Sequence, residues 1–224
     1  MFGVIYVVFS QFLQIGAGVT NYPVLLLFNL VMFRFFTQAT NAAVNSVVVR
    51  EVLMRKTQFP RLIVPLSVVL TAGFNFLLSL PAIFAYILIY GVAPAWTWLL
   101  LPVILALLTI LTIGVSILLS SVNVRFRDTG EIWGVATTAL LYGSTILYPI
   151  ESVPESVRDL MLLNPITALL VQARHWVIDP SAPTFIEAAS SPLVPLGTAA
   201  ILVSICALGI WHFVRNAPRA AEQL

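Results

Sequence analysis

Apolar residues run along this chain in long stretches separated by short polar punctuation, and the stretches are longer than the strands or buried helices of a soluble core require. A hydrocarbon core of about 30 Å takes about 20 residues of helix to cross. Residues 22–49, 62–90, 98–119, 132–149 and 192–214 each meet that length, the fourth of them barely. Residues 1–15 would form a helix only about 22 Å long at about 1.5 Å per residue and read as the second half of a further span. They carry no Lys or Arg ahead of the apolar stretch and no small-residue cleavage site, so they do not read as a signal peptide. The pattern predicts an all-α polytopic membrane protein with six transmembrane helices, the first one truncated.

The stretch 150–191 is too apolar for an ordinary solvated loop and too broken for a span. Ser152-x-x-Glu155 has the form of a capping box and opens an amphipathic stretch with Val157, Leu160 and Met161 along one side. Asn164-Pro165 supplies a cap followed by proline at the first helical position, predicting a helix over 166–178. About 13 residues suit an interfacial or re-entrant helix rather than a crossing. The pair reads as dipping into the outer leaflet, with a surface hairpin as the alternative.

Composition agrees with lipid as the solvent. Only 9% of the 224 residues are charged and 60% are hydrophobic, against about 25% charged in an average soluble domain. A net charge of +2 is too small for a nucleic-acid footprint. The single cysteine, Cys206, lies within an apolar run and has no partner in the chain. Lys and Arg near span ends stay on the cytoplasmic side. With residues 22–49 running inward, Arg50, Arg55, Lys56, Arg61, Arg125, Arg127, Arg215 and Arg219 are cytoplasmic, Arg158 and Arg174 are outside, and Arg34 is within a span. Tyr22, Tyr90, Trp96, Trp98 and Tyr148 then fall at the outer span ends as an aromatic belt, and the C-terminus is cytoplasmic.

The motifs of catalysis are missing. There is no G-x-x-x-x-G-K-[ST], the only lysine being Lys56, and no G-x-S-x-G or H-E-x-x-H. His175 and His212 are expected on opposite sides of the membrane, which argues against a shared metal. The chain reads as a carrier or conduit, with no catalytic residue, no metal and no cofactor of its own.

Polar residues inside spans point to what such a protein moves. Arg34, Thr37, Gln38, Asn41 and Asn45 recur at spacings of three and four and share one helix face over about 16 Å. That face lines a water-accessible path or packs on another helix. Arg34, near mid-span, either attracts an anionic group such as phosphate or binds carbonyls and snorkels outward. Thr138, Tyr142 and Thr145 form a second mixed face suited to sugars or to plain helix packing. Asn75 and Ser79 read as interhelical contacts, and Gly197, Ala200 and Ser204 as a close-packing seam.

Two cytoplasmic loops hold most of the remaining charge. Residues 50–61 mix cations with apolar side chains, which suits either a partner's groove or topological retention alone. Asn123-Val124-Arg125-Phe126-Arg127-Asp128 leads into a helix that Asp128 is placed to cap, with Glu131 three residues on.

The run 53–66 with Phe59-Pro60-Arg61 and Pro65-Leu66-Ser67, then Asn123 to Asp128, Tyr148-Pro149, and Asn164-Pro165 followed by Arg174, resembles the membrane subunits of ABC-2 type exporters over nearly the whole chain. Within these it is similar to the permeases that export O-antigens, teichoic acids and related lipid-linked glycans. The resemblance implies a single ABC-2 transmembrane domain over 1–224, in the multi-pass ABC-2 exporter fold of the cytoplasmic membrane. It implies a homodimer coupled to separate ATP-binding subunits, which carry the ATP and Mg. It makes Arg50, Glu51, Arg55, Lys56, Phe59 and Arg61 the segment that docks on the ATPase, with Arg127 and Asp128 in the loop beside it. Arg34, Gln38, Asn41, Asn45, Thr138, Tyr142 and Thr145 become substrate-path candidates, and Tyr148, Pro149, Asn164, Pro165 and Arg174 parts of an outer gate. It further implies a cytoplasmic amphipathic helix and the rest of the first span ahead of residue 1. Other readings of the same pattern are an ABC-2 exporter of drugs or small lipids, a secondary carrier, and a membrane assembly subunit without transport.

Overall fold

The computed structural model describes residues 2–9, 21–49 and 62–216, and among them every regular element is helical. The helices are α1 (Phe2–Val7), α2 (Tyr22–Val44), α3 (Ser46–Val49), α4 (Ile63–Ile89), α5 (Leu101–Asn123), α6 (Thr129–Gly143), α7 (Glu155–Leu162), α8 (Pro165–Val177), α9 (Phe185–Ala188) and α10 (Leu193–Asn216). A 3₁₀ turn, Trp96–Leu100, leads directly into α5.

Among the described residues, four helical stretches are long and apolar enough to cross a bilayer: Tyr22–Val44, Ile63–Ile89, Trp96–Asn123 and Leu193–Arg215. Their hydropathy explains where each sits. The stretch in α2 is the least apolar, with mean hydropathy 1.3 against 2.0 to 2.6 for the others, and it is the most enclosed by protein. It packs on α4 along one side and α5 along another, and α5 in turn packs along α10. Leu25, Leu26, Phe28, Met32 and Phe36 of α2 are fully buried against Ile87 of α4 and Ile104 and Leu108 of α5. The apolar outer faces of α4 and α10, including Leu70, Phe74, Leu78, Leu196, Val203 and Leu208, are exposed on the chain by itself, as lipid-facing surfaces are.

Hydroxyls inside the spans spend their donors locally. Thr40, Thr109 and Thr112 donate to carbonyls one turn back, the arrangement by which a helix in hydrocarbon tolerates Thr and Ser. Pro81 lies inside α4, where an apolar span accepts proline more readily than a soluble helix does.

Several boundaries differ from the sequence reading. The helix expected over 132–149 begins at Thr129 and ends at Gly143, because Ser144 is extended at φ −120°, ψ 161°. Its 15 residues reach about 22 Å, short of a hydrocarbon core of about 30 Å. Asp128 stands at the helix start but its side chain makes no capping bond. Ser152 does not open a capping box either. It closes a 3₁₀ turn, and α7 starts after Pro154 with no side-chain cap. Val153, which precedes that proline, is extended at ψ 130°, as the clash between a proline ring and the preceding residue favours. Asn164 and Pro165 start α8 as expected, and the helix runs 13 residues. The seam expected at Gly197, Ala200 and Ser204 holds only at its first residue: a Cβ on Gly197 would lie 2.7 Å from Leu163 Cδ2, while Ala200 and Ser204 are exposed. The close approach between two spans lies at Gly114, Cys206 and Gly209.

Candidate functional site

The mixed face of α2 is placed by its opposite side. Phe28, Met32, Phe36, Ala39 and Ala43 are buried toward the core, and a period of 3.6 residues carries Arg34, Gln38, Asn41 and Asn45 to the far side, where all four are exposed. The Phe36 ring meets Trp133 of α6 edge-on at 6.1 Å, and the Trp133 Nε1–H donates to Thr40 Oγ1 at 3.0 Å. These contacts fix the rotation of α2 and hence the direction of its polar line.

Arg34 and Gln38 do not stand alone. With Val31 and Phe35 they form one wall of an open groove of about 240 Å³, and Ala72, Asn75, Phe76 and Ser79 of α4 form the other. The Phe35 and Phe76 rings, 5.1 Å apart, make its floor. Among the described residues the Arg34 guanidinium makes no ion pair or hydrogen bond. Asn75 is exposed, while the Ser79 hydroxyl donates to Phe76 O at 2.6 Å. The sequence reading took Asn75 and Ser79 as interhelical contacts; the spacing of four between them, the same as between Arg34 and Gln38, was the signal that they line a face together.

The remaining path candidates divide. Asn41 is exposed on the same line. Thr37 is half-buried and donates to the carbonyls of Phe33 and Arg34. Asn45 Oδ1 accepts from Asn123 Nδ2 at 3.2 Å, tying the end of α2 to the end of α5. Thr138 and Tyr142 are exposed on α6, with the Thr138 hydroxyl bonded back to Gly134 O. Thr145 leaves them. It lies beyond the end of α6, is buried, and offers its backbone oxygen to Asn29 Nδ2 at 3.0 Å.

At the other end of the molecule, the outer-gate candidates lie close together. Asn164 Nδ2 donates to Ser144 Oγ at 2.8 Å while its Oδ1 accepts from Ile166 N–H, so one side chain both caps α8 and holds the turn after α6. The Tyr148 hydroxyl donates to Tyr142 O at 2.7 Å. Pro149 and Pro165 are buried. Arg174, near the end of α8 and only 7% exposed, donates Nη1 to both oxygens of Glu151, at 2.9 and 2.7 Å, and its Nη2 lies 3.6 Å from Asp179. Two carboxylates around one guanidinium offset the cost of burying it. Glu151, Asp179 and Asn29 were not singled out in the sequence; Tyr22, whose hydroxyl donates to Leu147 O at 2.7 Å, was read only as part of the aromatic belt.

The coupling candidates are less defined. Arg127 and Asp128 are exposed in the turn between α5 and α6, where the Arg125 guanidinium sits 5.4 Å over the Phe126 ring. Arg50, Glu51, Arg55, Lys56, Phe59 and Arg61 lie outside the described residues.

Comparison with known proteins adds an independent line. Residues 1–176 match the model of the ABC-2 type transporter family. Two O-antigen export system permease proteins RfbA of Klebsiella pneumoniae are each 30% identical, one over 158 residues and the other over 157. In both cases the match covers 70% of this chain and 61% of the relative, so it spans about three-fifths of those proteins. The RfbA permease of Myxococcus xanthus is 28% identical over 201 residues, covering 89% of this chain and 75% of that protein. A helical bundle with several bilayer-length apolar spans, matched to the family over more than three-quarters of its length, has one assignment: the chain belongs to the ABC-2 type transporter family.

Proposed function

We propose that the chain is the permease of an ATP-driven exporter that moves a lipid-linked polysaccharide or related envelope glycan across the cytoplasmic membrane. Two copies form the conduit, and ATP with its Mg is hydrolysed on separate ATP-binding subunits docked at residues 50–61 and beside the Arg127–Asp128 turn. In this reading α1 belongs to the first of six spans, α6 with the 144–149 turn makes the fifth, the helices α7 and α8 are the outer closure, and the C-terminus is cytoplasmic. The O-antigen export permeases that the chain resembles support the substrate class.

The single observation that carries the reading is the groove between α2 and α4. A guanidinium with no partner among the described residues, placed mid-span beside Gln38 and Asn75, is costly against lipid. A second copy and a hydrated path remove that cost. Arg34 then gives an anionic headgroup a charge-assisted contact, with Gln38 and Asn75 beside it to hydrogen-bond the hydroxyls of a sugar. The test is export of glycan by the permease reconstituted with its ATPase. Arg34→Ala is expected to lower export roughly tenfold, the equivalent of about 1.4 kcal/mol, with thermal stability unchanged because the side chain supports no fold contact. Unaltered export would remove the groove from the path. Replacing Arg55 and Lys56 by Glu is expected to leave ATP hydrolysis running while export stops; normal export in that variant would reduce the segment to a topology signal.

A further inference from the structure

Asn29, Thr145 and Arg174 come from three different segments, α2, the turn after α6, and α8, and all three line one small cavity of about 10 Å³ under Tyr148 and Pro149. All three are nine-tenths or more buried, at 2%, 3% and 7% exposure. Each retains one buried polar atom without a partner: Asn29 Oδ1, Thr145 Oγ1 and Arg174 Nε. Their other polar groups face partners. Asn29 Nδ2 donates to Thr145 O, and both Arg174 Nη groups face carboxylates. Burying such atoms unpaired costs about 1–3 kcal/mol apiece, which three atoms around one cavity do not do by accident of packing.

We infer that this cavity is a binding site for one structural water molecule that joins α2, the 144–149 turn and α8 into a single unit. The chemistry closes. A water accepts from Arg174 Nε–H, donates to Asn29 Oδ1, and exchanges its remaining bond with the Thr145 hydroxyl, giving three of the two to four bonds that buried waters make. The volume matches the ~10–15 Å³ that one water requires. Charge selects water over an anion, because Glu151 and Asp179 already outnumber the one guanidinium. A cation is disfavoured by the positive charge of Arg174, which lines the site. The inference concerns this chain's own packing and does not depend on what the protein exports.

The experiment is a density map of the whole permease in lipid nanodiscs, at a resolution where ordered waters are visible elsewhere in the protein. A peak within hydrogen-bond distance of Asn29 Oδ1, Thr145 Oγ1 and Arg174 Nε is expected. No peak there, or one whose height and distances fit a halide, overturns the assignment. Thr145→Val keeps the shape and removes one bond; it is expected to weaken the peak and lower Tm by several degrees. A Thr145→Val protein as stable as the parent, with the three-sided contact absent from its parent map, shows that the polar atoms find their partners in some other way.

Discussion

Among the spans, the tightest contact is made by residues with almost no side chain. A Cβ built on Gly209 would lie 2.6 Å from the Gly114 carbonyl oxygen, a backbone atom that cannot rotate away, and one built on Gly114 would lie 2.8 Å from Cys206 Sγ. Gly209→Ala therefore forces α10 off α5 and is expected to cost about 1–3 kcal/mol, the usual range for overpacking. Gly134 on α6 has nothing within 4 Å of such a Cβ, so Gly134→Ala is the control, expected to be neutral or to gain up to about 1 kcal/mol from helix propensity. Thermal unfolding of the two variants in detergent checks the pair, and equal stability would sink the argument. This seam also shows the limit of reading a sequence. Small residues at spacings of three and four exist on two faces of α10, and Gly197, Ala200 and Ser204 were as good a pattern as Cys206 and Gly209. Only the position of Gly114 on the neighbouring helix decides between them, and one chain segment does not encode its partner's register.

Helix starts were legible where the chemistry of the first turn is self-contained. Asn164-Pro165 fixes its own start, since the cap and the φ of proline act within two residues. Ser152-x-x-Glu155 and Thr184-x-x-Glu187 have the same form, and only the second closes: Thr184 N–H donates to Glu187 Oε2 at 2.8 Å, and Glu187 N–H to Thr184 Oγ1 at 3.2 Å. Pro154 spoils the first by holding Val153 extended. The formed box carries a pH signature. The Thr184 backbone N–H, then its side chain, and more weakly His175, hold the Glu187 carboxyl below its ordinary value of 4.5. The ionised form is the one favoured in the folded box, so its contribution is complete above 4.5 and disappears as pH falls through the lower, folded value. Hydrogen exchange at the Phe185–Ala188 amides, corrected for intrinsic rates, is expected to show protection at pH 7 that is lost as the pH is taken progressively below 4.5. Thr184→Ala should show the low-pH behaviour at every pH. Protection independent of pH would mean that α9 is held by packing on α8 alone.

At the scale of the molecule, the all-helical membrane architecture was readable because the bilayer constrains length and polarity together, whereas the cluster around Arg174 was readable only in part. Arg174 and Asn164 stood out by type, but Glu151 and Asn29 join the cluster through contacts spanning 23 and 116 residues, which no local pattern carries. The polar line of α2 gives the most direct test of how the spans are arranged in lipid. Asn41 and Leu78 are both exposed on the chain, one on the mixed face of α2 and the other on the apolar face of α4. If the first face borders a hydrated path between two copies and the second borders acyl chains, a cysteine at each position meets different solvents. Thiols react with charged reagents as thiolates, and hydrocarbon suppresses both ionisation and access. With Cys206 changed to Ser, Asn41→Cys is expected to react with a charged methanethiosulfonate reagent at least tenfold faster than Leu78→Cys, and ATP turnover by the assembled exporter should change the rate at Asn41 alone. Equal, slow labelling at the two positions would place both faces in lipid and leave Arg34 without water, which the cost of a mid-span charge does not allow in a working permease.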